Sequence, residues 1–220
     1  MTKIYMVRHC EALGNVLQVF QGTSDLDITE LGEKQLEFLT KRFEDIELDR
    51  VFSSPLIRTQ KTAKAIIGNK NLPIEICNGL IELDGGIIEG KPFLESCKKY
   101  PEIGYAWTHK PEAFAPEGGE KMVDAYERIW NAVKTLALEN KGKTIACATH
   151  GGVTRCLMCR LIYGDITRLK DMPYFDNTAI SLIEFDDDLN PKLLFYNNTE
   201  HLPEGLININ SKTISKVEDE

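Results

Sequence analysis

The 220 residues, 42% hydrophobic and 27% charged, suffice to bury one full core, which excludes wholesale disorder and a disulfide-stapled mini-protein. With 34 acidic against 26 basic side chains, the formal net charge of −8 argues against nucleic acid or an anionic bilayer as partner. No apolar run approaches the ~20 residues of a membrane span, no signal-peptide region opens the chain, and the six cysteines read as reduced thiols, so the expected address is the cytoplasm.

Residues 3–7, Lys3 followed by the short apolar run Ile4 to Val7, read as a central strand of a parallel sheet and run straight into Arg8-His9-Cys10-Glu11. After a loop over 14–27, Thr29 caps a helix in which Leu36, Leu39 and Phe43 recur at helical spacing. Strand 50–53 leads to a helix predicted to start with Ser54 as N-cap and Pro55 in its first turn, ending by Gly68. A third strand is read at 74–77. From 85 to 119 the pattern dissolves: Pro92, Pro101, Pro111 and Pro116 alternate with Phe93, Tyr100, Tyr105, Trp107 and Phe114. This is an irregular insertion with short helices, predicted to cap a pocket. Met122, Tyr126, Ile129, Val133 and Leu136 then make the core stripe of a long helix. Strand 144–148 runs into Thr149-His150-Gly151-Gly152 and a helix through 162. Segments 179–183 and 192–196 read as a closing hairpin. The whole is a single α/β domain over 1–210 with a polar tail at 211–220. Its architecture is a three-layer sandwich, a mostly parallel sheet between helices, with functional groups beyond the carboxyl ends of the strands.

Two of the four histidines share a structural address. His9 and His150 each close a strand and precede a loop toward a helix, so in neighbouring parallel strands both imidazoles enter one crevice. Arg8 precedes the first, and Arg58 lies in the first turn of the helix after strand 50–53. These cations, without metal-ligand spacing and set in an acidic chain, suit a phosphate dianion, with the amides of Gly151 and Gly152 at a helix start as further donors. Phosphoryl transfer needs a nucleophile and an acid for the leaving oxygen. A neutral imidazole, its pKa lowered by neighbouring cations, is such a nucleophile. Glu82, between Leu80-Ile81 and Leu83, is the candidate acid, with Asp84 and Glu11 as rivals.

Val7-Arg8-His9-Cys10-Glu11 with Asn15 and Gln21-Gly22 resembles the opening signature of the histidine phosphatase superfamily, in its phosphoglycerate mutase-like branch. Ser53-Ser54-Pro55-Leu56-Ile57-Arg58-Thr59 is similar to the second block of that family, Leu80-Ile81-Glu82 with Glu89-Gly90 to the third, residues 116–120 to the fourth, and Thr149-His150-Gly151-Gly152 to the fifth. Asn177-Thr178-Ala179-Ile180 is similar to a late strand of the family. The blocks fall in family order over nearly the whole chain. The resemblance implies a phosphoglycerate mutase-like fold and a phosphoric monoester hydrolase of the histidine acid type. In it His9 becomes phosphorylated, Arg8, Arg58 and His150 hold the phosphoryl group, and Glu82 donates the proton. Asn15, Gln21, Gly22 and Gly151 contact phosphate or substrate. The chemistry calls for no metal and no cofactor.

Cys10 stands where the family has glycine. It reads as a tolerated small residue, or, if the nearby arginines lower its pKa, as an oxidation-sensitive gate. A phosphoglycerate mutase would also grip a carboxylate, and mutases of the family do so with arginines in the insertion. Here 83–120 has no arginine, only Lys91, Lys98, Lys99, Lys110 and His109 as basic or imidazole groups. The expectation is therefore a phosphatase for a small phosphorylated metabolite. A mutase and a catalytically impaired phosphate-binding module are the alternatives. Cys156-x-x-Cys159 reads as buried thiols, His109 as a surface residue, and His201 as a residue near the pocket mouth.

Overall fold

The protein is described by a computed structural model over residues 1–207; the expected domain end at 210 and the tail at 211–220 lie outside the described residues. Six strands form one sheet: β1 (Thr2–Arg8), β2 (Arg50–Ser53), β3 (Ile74–Ile76), β4 (Thr144–Thr149), β5 (Ile180–Phe185) and β6 (Pro191–Asn198). Their order is β3-β2-β4-β1-β5-β6. The first four are parallel, and the closing hairpin pairs antiparallel onto β1.

Alternation along the strands sends side chains to two cores. Ile4, Met6, Phe52, Ile145 and Cys147 point to one face, where α6 (Met122–Glu139) and α7 (Gly151–Tyr163) cover them. Val7, Val51, Ala146 and Ala148 point to the other, beneath α2 (Glu30–Phe43) and α3 (Ile57–Ile67). The expected three layers follow from that alternation. The predicted stripe from Met122 to Leu136 is buried in the first core. Thr29 caps α2 as expected, its hydroxyl accepting from the Gly32 amide at 3.0 Å.

Two boundaries differ from the sequence reading. Helix α3 begins at Ile57, not at Ser54, because the Ser54 groups are used elsewhere. Its hydroxyl pairs with His150 Nε2 at 2.7 Å, and its carbonyl accepts from Thr59 Oγ1 at 3.0 Å. The third strand stops at Ile76, where Cys77 turns into the 3-10 segment Asn78–Leu80. The insertion folds into α4 (Phe93–Lys99) and α5 (Pro101–His109), and a short α1 (Leu13–Val16) sits in the first loop. Among the described residues no helix is long and apolar enough to cross a membrane.

Candidate active site

The two histidines are brought together by register. Arg8 pairs with Thr149 across β1 and β4, and the His9 amide donates to Thr149 O at 2.9 Å, continuing the ladder one step. His9 and His150 thus leave adjacent strands side by side, ring centroids 5.3 Å apart. Asn177 Nδ2 clamps the His9 carbonyl from the far side at 2.9 Å.

His9 Nδ1 lies 2.6 Å from the carbonyl of Cys10. A carbonyl can only accept, so Nδ1 carries the proton and Nε2 keeps its lone pair. Burial, reinforced by Arg58 and then Arg8, holds this imidazole well below its ordinary pKa of 6.5. His150 is lowered well below the same value by burial, Arg58, His9 and Arg8. Both rings are therefore neutral at pH 7, as the cationic neighbours in the sequence predict.

Around His9 a pocket opens with an empty volume of about 850 Å³, its mouth included; Arg8, Asn15, Gln21, Glu82 and Gly151 line it. Arg8 donates from Nη1 to the Phe175 carbonyl, and its Nε is buried without an acceptor. Gly151 packs on that guanidinium: a Cβ there would stand 3.1 Å from Arg8 Nε.

Three predicted residues sit elsewhere than expected. Arg58 and His150 have no exposed surface and do not line the pocket; they lie behind it. Arg58 donates to the carbonyls of Ser24 and Gly22, both at 2.7 Å, so its visible work is to hold the loop that carries Gln21. Burial pushes its pKa down to about 10, against the raising charge of Glu82. Gly22 is also behind the wall. A Cβ on it would fall 1.9 Å from the Leu83 carbonyl, so the glycine serves a close crossing of two backbones.

The Gly152 amide, expected to face phosphate, is taken by Glu82. That carboxylate accepts from Gly152 N at 2.8 Å on Oε2, and from Val153 N at 3.1 Å and its neighbour Leu83 N at 3.0 Å on Oε1. It is seated on the first turn of α7, where backbone N–H groups lack helical partners. Arg128 on α6 fixes the segment before it, donating to the carbonyls of Gly79 at 2.9 Å and Ile81 at 2.8 Å while chelating Glu120. The rival acids are placed otherwise. Asp84 accepts from the Gly86 amide at 2.8 Å, and Glu11 accepts from the Thr29 hydroxyl at 2.6 Å; neither lines the pocket.

Cys10 corrects the sequence reading of a thiol acidified by arginine. Burial pushes it up to about 12, and its sulfur faces α2, 3.4 Å from where a Gly32 Cβ would be. Its backbone is outside the left-handed region, so glycine is not required there, and the thiol does not line the pocket. The four lysines and His109 of the insertion do not line it either. His109 stacks on Tyr105 at 4.9 Å. The insertion contributes Phe93 and Trp107, which join Phe20, Tyr174 and Phe175 in an aromatic wall. His201 pairs with Thr178 at 3.1 Å, away from the pocket, and burial with Arg42 lowers it to about 4. Cys156 and Cys159 are buried in α7, their sulfurs toward Met122 and the Asp165 carbonyl.

Arg155, on α7, lines the pocket and was missed by the sequence reading. Its spacing of one turn from Gly151 is a signal that could have found it, since residues four apart share a helix face.

This arrangement agrees with what the chain is similar to. The profile of the histidine phosphatase superfamily (branch 1) matches residues 4–199. Phosphoserine phosphatase 1 of Hydrogenobacter thermophilus is 31% identical over 204 residues, 93% of this chain and 96% of that protein. YhfR of Bacillus stearothermophilus superposes with a TM-score of 0.87 at 29% identity, over 91% of this chain and 99% of its own. A phosphoserine phosphatase of Entamoeba histolytica, solved in complex with 3-phosphoglyceric acid, gives 0.80 at 27%, over 92% and 100%. The chain belongs to the histidine phosphatase superfamily, with the phosphoglycerate mutase-like fold.

Proposed function

We propose that the protein hydrolyses a small phosphomonoester through a phosphohistidine on His9. The observation that carries this reading is the 2.6 Å contact of His9 Nδ1 with the Cys10 carbonyl, which leaves Nε2 as an unprotonated nucleophile in a cationic pocket. In the first step Nε2 attacks phosphorus as the ester P–O bond breaks, and Glu82 gives its proton to the leaving oxygen. Three amides already occupy both lone pairs of Glu82 Oε1 and one of Oε2, so that proton rides on the remaining Oε2 position. In the second step water attacks the phosphohistidine, Glu82 takes a proton from it, and the N–P bond breaks to release phosphate. Arg8 and the Gly151 end of α7 neutralise the phosphoryl oxygens. Arg58 and His150 act from behind, Arg58 by its charge and both by keeping His9 in place. Asn15 and Gln21 meet the substrate from the facing wall.

Phosphatase names among the relatives support hydrolysis over mutase chemistry, and retention of His9, Arg8, Arg58, Glu82 and His150 supports an enzyme over a binding module. The six unpaired thiols suit a reducing cytoplasm. Turnover of p-nitrophenyl phosphate tests the reading. His9→Ala should lose at least about 10³-fold in kcat, and acid-quenched wild-type enzyme should carry an acid-labile phosphoryl group. Equal turnover by wild type and His9→Ala sinks it. So does interconversion of 2- and 3-phosphoglycerate without release of free phosphate.

A further inference from the structure

We infer that His201, outside the pocket, is a positioning residue for His9, and that it acts through Thr178, which it holds in a left-handed backbone conformation. This rests on the reading of His9 as the nucleophile and names what aims it.

His9 is fixed by its main chain on both sides. Its amide donates to Thr149 O at 2.9 Å. Its carbonyl accepts from Asn177 Nδ2 at 2.9 Å and from the Thr178 amide at 3.3 Å. Both lone pairs of that oxygen are thus taken by two consecutive residues of one turn, closed by Ala179 N on Asp176 O at 3.1 Å. A shift of the turn releases the His9 carbonyl, and the imidazole moves with its backbone.

The turn is strained. Thr178 has φ +57°, a region that a β-branched residue occupies only where its surroundings force it. Its side chain is buried, and among the described residues its hydroxyl has one partner, His201 Nε2 at 3.1 Å. Deleting the imidazole leaves a buried hydroxyl unpaired, on a backbone that gains by relaxing. Relaxation takes the Thr178 amide and Asn177 away from the His9 carbonyl.

His201 is itself braced. It follows β6, and the next residue, Leu202, is buried, its amide donating to Thr199 O at 2.8 Å. Four residues further on, the Leu206 carbonyl accepts from Gln35 Nε2 at 2.8 Å. Gln35, buried on α2, also accepts from the Glu11 amide on Oε1 at 2.8 Å. The chain beyond β6 therefore reaches the end of β1 by two routes, and the one through Thr178 ends on His9. None of His201, Thr178 and Asn177 lines the pocket, so the arrangement bears on the nucleophile and not on substrate contacts.

Steady-state turnover of p-nitrophenyl phosphate tests this. His201→Ala should lower kcat about 10- to 100-fold, the cost of misplacing a reacting group by up to about 1 Å, while KM stays within about threefold. Thr178→Val deletes the same hydrogen bond from the other side and should reproduce the loss, and the two changes combined should cost no more than either alone. Thr178→Gly, at ease in the left-handed region, should keep most of the wild-type kcat, and in that background His201→Ala should cost less than about threefold. Wild-type kcat in folded His201→Ala overturns the proposal, as does a loss that falls on KM instead. A histidine that merely stabilises the fold would cost the same in the Thr178→Gly background as in wild type, and equal losses overturn it too. So does a Thr178→Gly enzyme as slow as Thr178→Val. If His201→Ala does not fold, Thr178→Val decides: wild-type kcat in that variant counts against the proposal. Turnover that His9→Ala abolishes and His201→Ala leaves intact fails this proposal alone, whereas wild-type enzyme without turnover fails the phosphatase reading.

Discussion

At the scale of single residues, chemistry here is set by what each side chain is denied. His9 is denied water and a proton, and so presents Nε2. Cys10, one residue on, is denied water to a degree that the Thr62 hydrogen bond and the Lys61 charge do not offset, and its thiol rises to about 12. The two neighbours therefore behave oppositely toward electrophiles. At pH 7 the Cys10 thiol is protonated and covered, so iodoacetamide should leave it unlabelled in the native protein and modify it only after unfolding. Peptide mass mapping of labelled native and denatured samples reads this directly. Rapid native labelling at Cys10, or protection from peroxide inactivation in Cys10→Gly, would return it to the role of a redox gate.

At the scale of elements, the site is a junction of loops held by buried ties. Glu89 gathers the amides of Gly22 and Ser24, at 2.9 and 3.0 Å, and of Gly85 at 2.8 Å. Arg58 holds the same loop from α3 through its carbonyls. Between them the loop that bears Gln21 crosses the strand of chain after Glu82 so closely that Gly22 has no room for a methyl group. Gly22→Ala must push Leu83, and with it Glu82, out of position. Overpacking of this kind costs about 1–3 kcal/mol, so the urea midpoint should fall and kcat should drop with it. Gly118→Ala is a weaker perturbation: nothing lies within 4 Å of its added Cβ, and only the left-handed backbone, φ +70°, opposes it. Equal stability of Gly22→Ala and wild type would show that the crossing is not tight.

At the scale of the whole molecule, three of the four histidines have lowered pKa values: His9, His150 and His201. In the unfolded chain each takes up a proton near 6.5; in the folded protein each stays neutral to lower pH. Between the lowered values and 6.5 the unfolded state binds more protons, so stability falls as the pH drops through that window. The urea midpoint should be lower at pH 5 than at pH 7.5, and His201→Asn, outside the pocket, should reduce the difference. Identical midpoints at the two pH values would contradict the burial of neutral imidazoles. The same lowering keeps His9 nucleophilic below the pH at which a free imidazole is lost to protonation.

Strand positions, the Thr29 cap and the pairing of His9 with His150 could be read from the chain because they are local. Period-two alternation and a capping hydroxyl act over a few residues, and two strand ends with like flanks announce a like address. The resemblance of the motif blocks carried the family on top of that. Tertiary packing decided which groups face the pocket. Gly22 and Arg58 match their motifs as well as Arg8 does, yet they lie behind the wall, because the crossing at Leu83 and the carbonyls of the loop claim them. Burial likewise overturned the conditional reading of Cys10 as an acidified thiol, since it raises that thiol to about 12. Arg155 entered the pocket from α7 because helix packing against the sheet aims it there, a direction that a linear sequence does not encode one residue at a time.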